Sequence, residues 1–146
     1  MSVVARGSAG ITVVTITFEV AGLPVTQGSM RAFVRNGRPI LTSTSGQKLK
    51  DWRQDIAYAA QVARDGEYAD SGVPVSVSLA FTLPRPKSAP KSVRYPTKKP
   101  DLDKLIRAAL DALTMVVFKD DSQVVELSAR KRFAEGAPGV TVVVQW

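Results

Sequence analysis

Four aspartates stand in two pairs in the last third of the chain: Asp101 with Asp103, then Asp120 with Asp121. They carry weight because the 146 residues contain neither histidine nor cysteine. That excludes a Ser-His-Asp triad, an imidazole base, a thiol nucleophile, disulfides, iron–sulfur clusters and the usual zinc sites. Acid–base or metal chemistry must rest on Asp, Glu, Lys, Arg, Tyr or bound water. A metal held by carboxylates alone would be hard: Mg²⁺, or Mn²⁺ in its place. Each aspartate also has an ordinary explanation. Asp101 follows Pro100 and can cap a helix. Asp103 suits a first helical turn and an ion pair with Arg107. Asp120 and Asp121 can be turn residues.

The surroundings argue for more. Residues 84–100, PRPKSAPKSVRYPTKKP, hold five of the nine prolines and no acid. They carry Arg85, Lys87, Lys91, Arg94, Lys98 and Lys99. With Lys104 and Arg107 added, segment 85–107 has eight basic residues against two acids, in a chain of net charge +7. Such an aperiodic stretch is either a solvated insertion or a functional loop. As a functional loop it is a surface for a polyanion. Carboxylates in that field would repel DNA unless a cation neutralised them. Phosphodiester hydrolysis needs an activated water, a clamp for the transition-state charge and stabilisation of the leaving oxygen, all of which Mg²⁺ can supply. Within a helix, Asp101 and Asp103 would point about 200° apart. Their convergence therefore requires Asp101 to sit in an extended cap.

Hydropathy patterning supplies the elements that would hold these groups. Residues 11–20 and 75–83 alternate as half-buried strands. In the second, Val75, Val77, Leu79, Phe81 and Leu83 face inward. Asn36-Gly37 marks a hairpin turn within 30–42, flanked by Arg35 and Arg38. A helix is expected over 46–64, capped from Ser43, Thr44 or Ser45, with Leu49, Trp52, Ile56 and Ala60 on its apolar stripe. A second is expected over 102–114, with Leu102, Leu105, Ile106, Ala109, Leu110 and Leu113 inward. Residues 123–133 read as a strand with Val125, Leu127, Ala129 and Phe133 on one face and Glu126, Ser128, Arg130 and Arg132 on the other. Arg130 and Arg132 extend the basic surface, with Lys131 pointing away from it. The last strand is 140–146, a possible edge for dimerisation. Residues 1–10 read as a loose terminus. The order β, hairpin, α, β, α, β, β describes one α+β domain over 1–146, a mixed or mostly antiparallel sheet with two main helices.

The stretch KKPDLDKLIRAALDALTMVVFKDDSQVVELSARKRF, residues 98–133, resembles the signature of the RusA family of Holliday junction resolvases. That signature runs D-L-D-N-L-x-K, a helix containing D-A-L, a D-D-x-Q-V-V segment and a basic run. The Gly22-Leu23-Pro24 corner, the basic hairpin and Trp52-Arg53 agree more loosely. The resemblance implies a homodimeric, Mg²⁺-dependent endonuclease that nicks four-way DNA junctions symmetrically and leaves 5′-phosphates. It makes Asp101, Asp103 and Asp121 metal ligands and catalytic residues, with Asp120 beside them. The family's asparagine is Lys104 here, and its lysine is Arg107. Arginine can neutralise transition-state charge but cannot shuttle a proton. If a proton carrier is needed, Lys104 is the candidate.

Under this reading Arg35, Arg38, Arg85, Lys87, Lys91, Arg94, Lys98, Lys99, Lys104, Arg130 and Arg132 hold the DNA backbone. Tyr95 could stack on an unpaired base at the junction, though one exposed loop tyrosine is more often incidental. Three rival readings fit parts of the pattern: a branched-DNA-binding protein without catalysis, a metal-dependent nuclease for flaps or single strands, and a structural protein with an acidic partner. No apolar run approaches the ~18 residues of a membrane span. With no apolar core of a signal peptide in residues 1–10, a cytoplasmic protein of a bacterial or phage-infected cell is expected.

Overall fold

The computed structural model describes residues 2–6, 10–28, 30–43 and 46–146. Among these the strands are β1 (Ser2–Arg6), β2 (Thr12–Ala21), β3 (Met30–Arg35), β4 (Arg38–Ser43), β5 (Val75–Leu83), β6 (Val124–Phe133) and β7 (Gly139–Gln145). The helices are α1 (Gly46–Arg64) and α2 (Leu102–Leu113), with a 3₁₀ turn at Asp121–Gln123. Five strands form one sheet in the order β1-β2-β7-β5-β6. β5 and β6 are parallel, as a connection through a helix allows, and the other pairs are antiparallel.

Alternation in β2, β5 and β7 builds the core. Ile16, Val144 and Val77 stand side by side across the sheet, as do Phe18, Val142 and Leu79. Buried residues of both helices, among them Trp52, Ile56, Leu105 and Ala109, join this apolar face in one cluster. The α1 stripe falls where its periodicity puts it. The α2 stripe is rotated slightly: Ala108 and Ala112 are fully covered, whereas Leu102, Ile106 and Leu110 are half-buried. Alanines allow the two helices to approach, so the smaller residues take the inner position.

Three expectations need correction. Ser2–Arg6 is not a loose end but an edge strand, drawn into register by the otherwise unpaired backbone of β2. β7 is not an edge; it lies between β2 and β5, so the sheet's edges are β1 and β6. In β6, a register shift opposite Val75 and Ser76 pairs Val124 with inward Val75 and leaves Val125 71% exposed. The hairpin forms as expected. Asn36 and Gly37 both have positive φ, +53° and +72°, the mirror-image turn that suits twisted strands. Ser43 is the last residue of β4, and Thr44 and Ser45 lie outside the described residues.

The corner at Gly22 positions the segment beside the basic loop. Its φ is +144°, and a Cβ there would lie 3.3 Å from the Trp52 ring. Glycine therefore lets the chain cross the face of α1 and run on to Gln27, whose N–H donates to the Lys104 carbonyl oxygen at 3.2 Å.

Candidate active site

α2 lines up the acidic residues. Asp101 occupies its N-cap position in extended backbone, φ −73° and ψ 135°, as convergence with Asp103 requires. Its carboxylate makes no capping bond and instead pairs with Lys104 Nζ at 3.4 Å. The cap explanation for Asp101 therefore does not account for its side chain. Asp103, Arg107 and Asp111 follow at intervals of four, which sets them on one helical face. Asp103 and Arg107 form no ion pair among the described residues; Lys104–Asp101 is the one found.

The Asp120–Asp121 loop is fixed by Gln123. This buried side chain accepts from the N–H groups of Lys119 and Asp120, both at 3.0 Å. Its amide donates to the carbonyl oxygens of Asp70 at 2.8 Å, Val73 at 3.1 Å and Ala69 at 3.3 Å. Asp120 in turn accepts from Ser122 N–H at 2.8 Å. Aspartate followed three residues later by glutamine is a reciprocal cap. That spacing was visible in the sequence and could have singled out Gln123.

The loop does not return to the start of α2. In a strand–helix–strand unit the start of the helix and the start of the second strand lie at opposite ends. Asp121 instead lies beside the second half of α2, within electrostatic reach of Arg107 and Asp111. Partial burial raises its pKa most, Asp120 and Asp111 raise it further, and Arg107 pulls it back. Asp120 is lowered by its bond from Ser122 N–H. Among the described residues no three carboxylates gather into a set that could hold a metal ion. The donors are all oxygen, which suits a hard cation, but they form an open row rather than a cage. Such a row fits an ion shared between one or two carboxylates and a substrate phosphate, the common habit of Mg²⁺.

The basic loop comes down over the start of α2 and is held in place. The Arg85 guanidinium donates to the carbonyl oxygens of Pro90 at 2.6 Å and Val93 at 2.7 Å, and lies 4.9 Å from the Phe133 ring centre. Arg85 thus braces the loop while remaining exposed. Arg132 sits 5.1 Å from the centre of the Tyr95 ring and ties β6 to the same loop. Arg130 is on the open face of the sheet, paired with Ala80, and Arg35 and Arg38 are in the separate hairpin sheet. Lys87, Lys91, Arg94, Lys98 and Lys99 are exposed along the loop.

Lys131 is the residue the strand pattern undervalued. It points away from Arg130 and Arg132, as alternation requires, but that direction leads toward the site. Across the sheet it continues the buried row of Val20, Val140 and Phe81. There its ammonium donates to the carbonyl oxygens of Lys98 and Pro100, each at 2.8 Å. It therefore clamps the chain immediately before Asp101.

A model of the endodeoxyribonuclease RusA family matches residues 22–145. The chain belongs to that family. The match spans the corner at Gly22, the β3–β4 hairpin, both helices and strands β5, β6 and β7. An uncharacterised Bacillus subtilis (strain 168) protein, YqaN, is 36% identical over 140 residues, covering 89% of this chain and 95% of the relative. The basic loop, the D-L-D start of α2 and the Asp120–Asp121 loop all lie within the matched residues. No helix among the described residues is long and apolar enough to cross a membrane.

Proposed function

We propose that the protein is a Mg²⁺-dependent endonuclease that resolves four-way DNA junctions by paired, symmetrical nicks with 5′-phosphate ends. It would act in recombination and repair as a cytoplasmic homodimer in a bacterial or phage-infected cell. The family match over residues 22–145 carries this reading. The basic loop clamped next to the acidic face of α2 supports it.

Asp101 and Asp103 at the start of α2, and Asp121 with Asp120 farther along it, are the carboxylates we assign to cation binding, one or two of them to an ion shared with a substrate phosphate. When bound, Mg²⁺ supplies charge neutralisation and a more acidic water. Arg107 stands between Asp103 and Asp111 on the helix face and stabilises negative charge developing on the phosphate. It stays protonated, so it takes no part in proton transfer. Lys87, Lys91, Arg94, Lys98 and Lys99 hold the DNA backbone and fix its position without reading sequence. Lys104, paired with Asp101, is the side chain available to exchange a proton there.

The test is cleavage of a labelled synthetic four-way junction by wild type and Asp103→Asn, with and without Mg²⁺. Symmetrical nicking that needs Mg²⁺ and falls at least a hundredfold in the variant, with binding retained, is expected. Binding without nicking in either Mg²⁺ or Mn²⁺ would make the chain a junction-binding protein, and the arginine at position 107 gives that outcome a physical basis.

A further inference from the structure

A groove of about 540 Å³ runs between the basic loop and residues 23–26, and it ends at Pro100, next to Asp101. Phe133 lines it, together with several prolines of the loop. Leu23, Val93 and Tyr95 line it while 55%, 37% and 57% exposed. Apolar side chains left open in a preformed cleft mark a binding surface. The loop wall of the cleft is braced twice: Arg85 fixes the loop's carbonyl groups, and Arg132 packs on Tyr95. Its rim, in contrast, is cationic, with Lys48, Lys98 and Lys99.

An apolar lining accompanied by three exposed lysines suits a ligand with an apolar planar body and an anionic edge. A nucleotide has that form, with a base that stacks on aromatic or proline surfaces and a phosphate that meets the lysines. A stacked duplex cannot enter, because its bases are covered on both faces. A branch point can lend a base at lower cost. Groove-to-groove packing of two copies would set the lysine rims against each other.

We propose that this groove takes one unstacked nucleobase from the branch point of the DNA and so aligns the neighbouring phosphodiester with Asp101 and Asp103. The proposal rests on the branched-DNA reading above and adds a base-holding site to it.

The experiment uses four-way junctions carrying 2-aminopurine at one branch-proximal position at a time, bound without divalent metal so that nothing is cut. Fluorescence anisotropy of an end label reports junction affinity over plain duplex in the same titration. At one position 2-aminopurine emission should rise on binding. Ala89→Trp, which fills the groove, should abolish that rise and weaken junction binding about tenfold while leaving duplex binding unchanged. Tyr95→Ala should reduce the rise in a chain that keeps its fold, should Ala89→Trp fail to fold. Junction preference without any emission change overturns the groove proposal alone. No junction preference overturns the branched-DNA reading with it. A change in sedimentation mass for Ala89→Trp would make the groove a contact between copies and would equally overturn the proposal.

Discussion

Asp121 is a strained electrostatic choice for a surface aspartate. Burial and two neighbouring carboxylates disfavour its charge, and Arg107 only partly offsets them. A carboxyl whose folded pKa lies above its unfolded value binds more protons folded than unfolded between those two values. It therefore weakens the fold as pH rises through that window, and the penalty persists above it. Asp121 is exposed and its interactions are screened, so Asp121→Asn should melt no more than about 1 °C above wild type at pH 7, and the gap should close as pH falls toward the ordinary carboxyl value of 3.8. Thermal melts across that range check the sign. A variant that gains stability and loses junction cleavage would mark Asp121 as kept for chemistry. Its presence in the motif was legible from the D-D-x-Q-V-V pattern. Its neighbour Asp111 was not, because an acid off the apolar stripe reads as solvated surface until a packed loop faces it.

At the scale of elements, each active-site segment is pinned by one side chain from elsewhere. Gln123 ties the Asp120–Asp121 loop to residues 69–73, and Lys131 ties residues 98–100 to β6. Lys131→Met keeps the apolar stem and removes both bonds to carbonyls. Cleavage turnover should drop roughly ten- to hundredfold through misplacement of Asp101, while junction affinity changes less than twofold. Single-turnover rates and binding isotherms separate these effects, and a large loss of affinity would make Lys131 a DNA contact instead. Helix α1 and strand β5 were legible because their periods are long and uninterrupted. The role of Lys131 was not: strand alternation gives two faces but not which face a loop will cover. The bracing role of Arg85 was not legible either, since composition counts a guanidinium as surface charge without showing which carbonyl groups it also holds.

Across the whole molecule, positive charge concentrates on one loop over one end of α2, which predicts how affinity responds to salt. Five exposed cations, Lys87, Lys91, Arg94, Lys98 and Lys99, are available to phosphates there. If each replaces one condensed counterion, the log–log salt dependence of junction binding should have a slope of about −4 to −5. Lys98→Gln and Lys99→Gln should each reduce it by about one, which titrations between low and moderate salt will show. The α+β architecture was legible at this scale from element order, but strand order was not. Nothing in a Val-rich run distinguishes an edge from a middle strand, and here the pairing of β7 decides it.

That placement has a bearing on how the molecule is made. β7 is the last strand in the chain, yet it is the bridge between β1-β2 and β5-β6. While the polypeptide is being synthesised, the two halves of the sheet have no shared backbone until residues 139–145 have emerged. The earlier strands must wait with open edges, the state most prone to misassociation. Joining of the two halves of the sheet therefore waits for residues 139–145.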